Sequence, residues 1–232
     1  MREALEKGDK ERAAGGFTLI ELLTVIAIIG ILAAIGVGLS GVASRKSKES
    51  RVRAELQKLA TAIESYHADF NQYPPDNAYN GRNMNPALNP LYYELVGTVS
   101  FDSGARYQTV EGGEPLSVTQ IRRAFNRQGF LNSAESPGRP KNYLGTVRSG
   151  QVRAIQVRNV GNVEILAAPL DWPVQNSTYG PAAPLRNAVS DPRFARVNPW
   201  QYVSTRPQHN PRSFDLWADV VIGKERMIIG NW

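Results

Sequence analysis

The chain has 232 residues, 27 basic against 21 acidic, a net charge of +6 and no cysteine. That length leaves room for one hydrophobic core beside a single membrane-length helix, and the missing cysteines exclude disulfide staples and thiol chemistry. The modest basic excess suits acidic partners or an anionic lipid surface, and a solvated basic face accounts for it equally well.

Met1 to Gly16 is polar and ends Ala13-Ala14-Gly15-Gly16, after which Phe17-Thr18-Leu19-Ile20-Glu21-Leu22-Leu23 begins an apolar phase abruptly. A secretory signal is cut after its apolar region, at small residues; here the small residues come first. Cleavage between Gly16 and Phe17 would remove a leader, residues 1–16, and leave the apolar helix attached. Glu21 is the one charge between Phe17 and Ser44, and a lone carboxylate in lipid calls for a partner that neutralises it. From Gly16 through Ala34 the chain resembles the prepilin family, the type IV pilins and the pseudopilins of type II secretion, whose shared pattern is Gly, cleavage, Phe-Thr-Leu-Ile-Glu. The resemblance implies that a prepilin peptidase cleaves after Gly16 on the cytoplasmic side and methylates the new amine of Phe17. A freed α-amine titrates at about 7.7 to 8.0 and is mostly cationic at neutral pH. In a helix it stands one turn from Glu21. In a filament, the carboxylate of one subunit is expected to meet the amine of its neighbour and set axial register, a specificity role suited to a buried ion pair.

The uncharged run from Leu22 to Ser44 would measure about 34 Å as a helix, enough for a hydrocarbon core of roughly 30 Å. Residues 17–44 therefore read as the transmembrane and assembly half of a long helix. Charge alone does not orient it: Arg2, Lys7, Lys10 and Arg12 precede the span, but Arg45, Lys46, Lys48, Arg51 and Arg53 follow it closely. The prepilin motif orients it instead, with the first residues cytoplasmic. Gly30, Gly36, Gly38 and Gly41 weaken the helix there, either for close packing of helices or as a stretch that melts on leaving the bilayer. No proline occurs before Pro74, so one helix is free to run from Phe17 to Asn71. Residues 45–73 form its amphipathic half, with Val52, Leu56, Leu59, Ile63, Tyr66 and Phe70 on one face.

Residues 74–142 read as a loop-rich region with short helices at Asn89 to Val96 and Leu116 to Phe130. Arg122, Arg123 and Arg127 form a basic face on the second, without the interleaved aromatics of a nucleic-acid site, so no nucleic acid is expected. Residues 143–232 read as an antiparallel sheet with a C-terminal loop. Strand signals begin at Tyr143 and continue through Val152 to Val157 and Val163 to Ala167, with Gly161-Asn162 as the hairpin turn. Further strands cover Gln201 to Ser204, Ser213 to Trp217 and Met227 to Ile229. The fold class is α+β, a long N-terminal helix packed on a C-terminal antiparallel sheet, pilin-like.

Asn198-Pro199-Trp200-Gln201-Tyr202, Ser213-Phe214-Asp215-Leu216-Trp217 and Gly230-Asn231-Trp232 resemble the C-terminal segments of the major pseudopilin. In that family an Asp-rich loop between the last two motifs holds calcium. Here Ala218 to Arg226 supplies only Asp219 and Glu225, with Lys224 and Arg226 beside the latter, too few oxygens for a cation that takes six to eight. Asp215 and Asp219 are the remaining metal candidates, both better suited to structural roles, and no cofactor is expected. His67 and His209 are isolated, and no nucleophile elbow or phosphate loop is present, so no enzyme is expected.

These features point to a pseudopilin of type II secretion, held by one span in the bacterial inner membrane with its C-terminal domain in the periplasm. The resemblance implies prepilin peptidase, further copies of itself, other pseudopilins, the inner-membrane secretion platform and membrane lipid as partners. A type IV pilin or minor pilin for adhesion, motility or DNA uptake is the alternative. A tethered binding or catalytic domain on a prepilin anchor is the third.

Overall fold

The computed structural model describes residues 16–173, 184–223 and 225–232, with backbone alone at 34–40, 192 and 195. Helix α1 (Leu19–Phe70) is continuous. It ends where Asn71 takes a left-handed conformation, φ 53°, a cap geometry asparagine tolerates, and Pro74 follows within the next turn. The chain divides after Ser44 into two compact units.

In the first unit the described apolar side chains of α1, Leu19 through Leu32 and Val42, are exposed. Among the described residues no helix is long and apolar enough to cross a membrane. The expected span, Leu22 to Ser44, passes through 34–40, whose side chains, Gly36 and Gly38 among them, lie outside the described residues, as do leader residues 1–15.

The second unit is organised around the apolar stripe of α1. Val52, Leu56, Leu59, Ile63 and Tyr66 are buried, with Ala62 filling the gap between turns and Phe70 partly covered. After α1 come β1 (Ala78–Tyr79), β2 (Arg82–Asn83) and α2 (Leu91–Val96). Next are β3 (Thr98–Phe101), β4 (Arg106–Thr109), β5 (Gly112–Ser117), α3 (Val118–Phe125) and β6 (Ser133–Glu135). The chain closes with β7 (Val152–Val157), β8 (Gly161–Leu166), β9 (Gln201–Val203), β10 (Asp215–Ile222) and β11 (Glu225–Gly230). These make an α+β domain whose core takes in the α1 stripe, all of α2, Leu116, Ile121, Phe125, Ile155, Val163, Ile165, Trp200, Tyr202 and the inner face of β10.

The sheet is not one but several. Among the described residues the strands form β1-β2, β11-β10-β9, β5-β4-β3-β6 and β7-β8. The last is stitched toward β9 by the antiparallel bridge Ala167↔Pro199 and the bond from the Trp200 amide to the Leu166 carbonyl, 3.0 Å. The four-stranded sheet falls where loops and short helices were expected, and it is mixed, because β6 runs parallel to β3. Its strands have three to six residues, and the turns at Asp102 to Ala105 and Val110 to Glu111 separate them so closely that alternation never runs long enough to stand out.

Three boundaries also differ. The helix expected over Leu116 to Phe130 is confined to α3: Leu116 belongs to β5, Ser117 caps the helix in a reciprocal box with Gln120, and Asn126 stops it at φ 56°. Tyr143 lies in a loop and strand structure resumes at Val152. Gly161 and Asn162 are not the hairpin turn but the first residues of β8, paired with Val157 and Gln156. The loop is Arg158 to Val160, with Asn159 at φ 56° supplying the left-handed step.

Candidate processing and assembly site

Thr18 precedes the first residue of α1 and adopts the cap position. The Glu21 amide donates to Thr18 Oγ1 at 3.3 Å, and Glu21 Oε2 accepts the Thr18 amide at 2.8 Å and the Thr18 hydroxyl at 2.6 Å. This is a capping box, in which residues three apart satisfy each other's unpaired amides. The Glu21 carboxylate, expected only as a partner for a neighbour's amine, thus also starts its own helix. The signal was present in the sequence, because Thr-x-x-Glu before an apolar run is the pattern of such a box.

Phe17, ahead of the box, is 83 % exposed. A β-carbon placed on Gly16 would meet nothing within 4 Å among the described residues. Gly16, Phe17 and Glu21 therefore stand on an open helix start with the peptide bond between Gly16 and Phe17 outside the helix.

The C-terminal motifs are structural joints. Trp200 is buried, and its indole Nε1 faces Glu55 of α1 at 3.4 Å while its carbonyl accepts from Asn89. Asn198 donates to the Asp219 carbonyl at 2.6 Å. Asn231 accepts the Leu216 amide at 2.9 Å and donates to the Phe214 carbonyl at 2.9 Å, tying the end of β11 to the start of β10. Gly230 lets Trp232 fold back, since a β-carbon there would lie 2.7 Å from the indole.

Asp215 and Asp219 do not converge on a shared ligand. Asp215 accepts the amides of Gln208, His209 and Asn210 at 2.7, 3.0 and 2.9 Å, with His209 Nδ1 at 3.3 Å. Burial alone would raise its carboxyl, but the three amides outweigh it and hold the group below the usual carboxylate range. Asp219 lies on β10, where its Oδ2 meets Arg226 at 3.1 Å and its Oδ1 is buried without a hydrogen-bond partner. The Ala218 to Arg226 segment expected as a loop is instead the β10–β11 hairpin, with Ala218 paired to Ile229 and Ile222 to Glu225; Lys224 lies outside the described residues. Strand pairing spends the carbonyls that a cation would need. Among the described residues no group of three or more His, Asp or Glu side chains is placed to hold a metal.

Two buried carboxylates unforeseen in the sequence act as clasps. Glu94 on α2 accepts the Tyr66 hydroxyl at 2.9 Å and the amides of Leu131 and Asn132 at 3.0 Å, joining α1, α2 and the chain before β6. Burial pushes its carboxyl up against the pull of those donors. Asp76 accepts the amides of Ser204 and Thr205, the Thr205 hydroxyl and Asn83 Nδ2, all within 3.0 Å. His67 stacks on Tyr73 and His209 on Trp232.

Residues 12–37 match the family described as the prokaryotic N-terminal methylation motif. Beyond the motif the chain is similar to type IV pilins. A fimbrial protein of Pseudomonas aeruginosa is 28 % identical over 173 residues, 74 % of this chain and 96 % of that protein. The type IV major pilin protein PilA of Myxococcus xanthus is 45 % identical over 58 residues, 25 % of this chain and 26 % of its own. The type IV wide pilus major component PilA4 of Thermus thermophilus is 43 % identical over 67 residues, 29 % of this chain and 51 % of its own. No solved structure matches.

Proposed function

We propose that this protein is a structural, non-catalytic subunit of a pilin-class filament. It is made as a precursor held in the inner membrane, trimmed by prepilin peptidase between Gly16 and Phe17, methylated on Phe17 and polymerised through the N-terminal half of α1. The observation that carries the reading is the open helix start, with Phe17 and its preceding peptide bond exposed and Glu21 one turn on. Once the Phe17 amine is free, its positive charge and the carboxylate of Glu21 on an adjoining copy form the pair that a low-dielectric environment favours.

Within the class we favour a pseudopilin of a type II secretion system, forming a short periplasmic fibre with other pseudopilins on the inner-membrane secretion platform. The support is the C-terminal trio of motifs, in which Trp200, Asp215 and Asn231 lock the last strands without any disulfide. The second reading, a type IV pilin, is favoured by the similarity to fimbrial proteins along nearly their whole length.

Mass spectrometry of the mature protein from host membranes tests the class: the expected N-terminus is methylated Phe17, and retained Met1 or cleavage elsewhere overturns it. Deleting the gene separates the two members. Loss of exported protein with surface pili intact supports the pseudopilin, and loss of pili with export intact supports the pilin.

A further inference from the structure

Two surfaces of the 45–232 unit carry side-chain charges without an ion-pair partner among the described residues, the first of them also lined by the buried Asp215, whose carboxylate is held by three backbone amides. The first is a cleft of about 510 Å3 between the β1–β2 hairpin, the turn at 205–209 and the outer face of β10–β11. Trp217, Ile228 and Trp232 line it, with Ile228 58 % and Trp232 47 % exposed. His209 covers one face of the Trp232 indole, ring centres 3.8 Å apart, and Trp217 stands edge-on to it at 5.9 Å. Arg82 and Arg206 are exposed at the same cleft, and neither has an acidic partner among the described residues. Tryptophan and arginine around an uncovered apolar floor is the composition of a protein-binding hot spot.

The second surface is the tip of the β4–β5 hairpin. Val110 is 40 % exposed, and Glu111 and Glu114 follow it on the turn and the start of β5. Their carboxylates meet only amides, Asn142 at 3.0 Å and Asn162 at 2.9 Å. Glu164 of β8 lies against Gly113, adding a third acid to the tip, and burial together with Glu114 pushes its carboxyl up. An apolar residue flanked by carboxylates thus complements, in charge sign and apolar character, an apolar floor flanked by guanidiniums. The surfaces share no residue, so joining them links one copy to the next and leaves a free end on each side, the head-to-tail geometry that builds open filaments.

We propose that the cleft receives the β4–β5 hairpin tip of a second copy of this chain, with Val110 against Ile228 and Trp232 and with Glu111 and Glu114 against Arg82 and Arg206. The contact rests on the filament reading and deepens it, because it gives the C-terminal domains their own lateral register, separate from the α1 helices.

The absence of cysteine makes cross-linking a clean test in the full chain, expressed in host membranes. The paired variant Val110→Cys with Ile228→Cys, treated with a mild oxidant, is expected to give a ladder of covalent oligomers, and each single variant at most a dimer. Adding Arg82→Glu with Arg206→Glu should reduce the ladder at least tenfold. Further adding Glu111→Arg with Glu114→Arg should restore it. A paired variant that cross-links no more than the singles overturns the contact, and so does a ladder indifferent to the charge reversals. Normal fibres without a ladder sink this contact alone, whereas a ladder in cells that make no fibre sinks the filament reading alone.

Discussion

One helix serves two environments in this chain, and its halves differ in what covers them. From Leu19 to Leu32 the described apolar side chains are uncovered on every side. From Val52 to Tyr66 the apolar residues recur every three or four positions and are buried to 7 % exposure or less. A helix that is apolar all round needs an apolar surrounding from outside itself, while an amphipathic one is satisfied by its own domain. The second half is thus stabilised by folding, and on the proposed function the first is covered by lipid or by other copies, so that polymerisation through it would leave the second undisturbed.

Core truncation breaks that comparison most strongly. Ile63→Ala should destabilise the domain by about 2–5 kcal/mol, whereas Ile28→Ala should leave its unfolding unchanged; circular dichroism in urea on the detergent-solubilised chain reads both. A loss of domain stability from Ile28→Ala would mean that the halves are not independent.

Two buried carboxylates come next, Asp215 and Glu94, and they carry opposite pH signatures. Asp215→Asn removes the charge and replaces one of the two accepting oxygens with a donor, so at least one of the three amides loses its acceptor, and it should cost about 1–3 kcal/mol at neutral pH. The folded-state titration of Asp215 is depressed below the unfolded value of about 3.9. Its stabilisation is therefore complete above that value and disappears as pH falls through the lower, folded one. For Glu94 the folded value is raised, so the unfolded chain loses its proton first and stability declines as pH rises from about 4.3 toward the folded value. Glu94→Gln should abolish that decline. Chemical denaturation at stepped pH values tells the two apart.

A smaller effect sharpens the reading of the first half. Thr18→Ala removes the cap but keeps the carboxylate, and it should fray the first turn by about 1 kcal/mol while fibres still form. Glu21→Val removes the carboxylate but keeps the bond from the residue 21 amide to the Thr18 hydroxyl, and it should stop assembly with membrane insertion intact. Equal assembly defects would reduce Glu21 to a capping residue. The smallest effect belongs to the exposed pair of Arg45 with Glu225: Arg45→Ala should leave thermal unfolding unchanged within error, because solvent screens such pairs.

The N-terminal methylation motif was legible because its pattern is local. Gly16, Phe17, Glu21 and the apolar run sit within a few turns of one helix, and the stripe from Val52 to Phe70 follows the helical period with nothing to interrupt it. The Thr18 box is legible in the same residues, as Thr-x-x-Glu ahead of an apolar run. The four-stranded sheet was not legible, since strands as short as Ser133 to Glu135 gain their hydrogen bonds from β3, some thirty residues away. Nor was the fate of the loop expected after Asp215, where only pairing in register turned Ala218 to Ile222 into a strand.

The amino-acid order alone determined the N-terminal methylation motif, the long uninterrupted helix, its change of character at Arg45 and the lack of disulfides, because each depends on neighbours within a helix turn or on composition. Tertiary structure decided which carboxylates became clasps, how the strands divided into separate sheets, and that Arg82, Arg206 and two tryptophans share a cleft. Those outcomes depend on groups brought together across as many as 150 residues, and burial and hydrogen-bond satisfaction act only after the chain has folded them into contact.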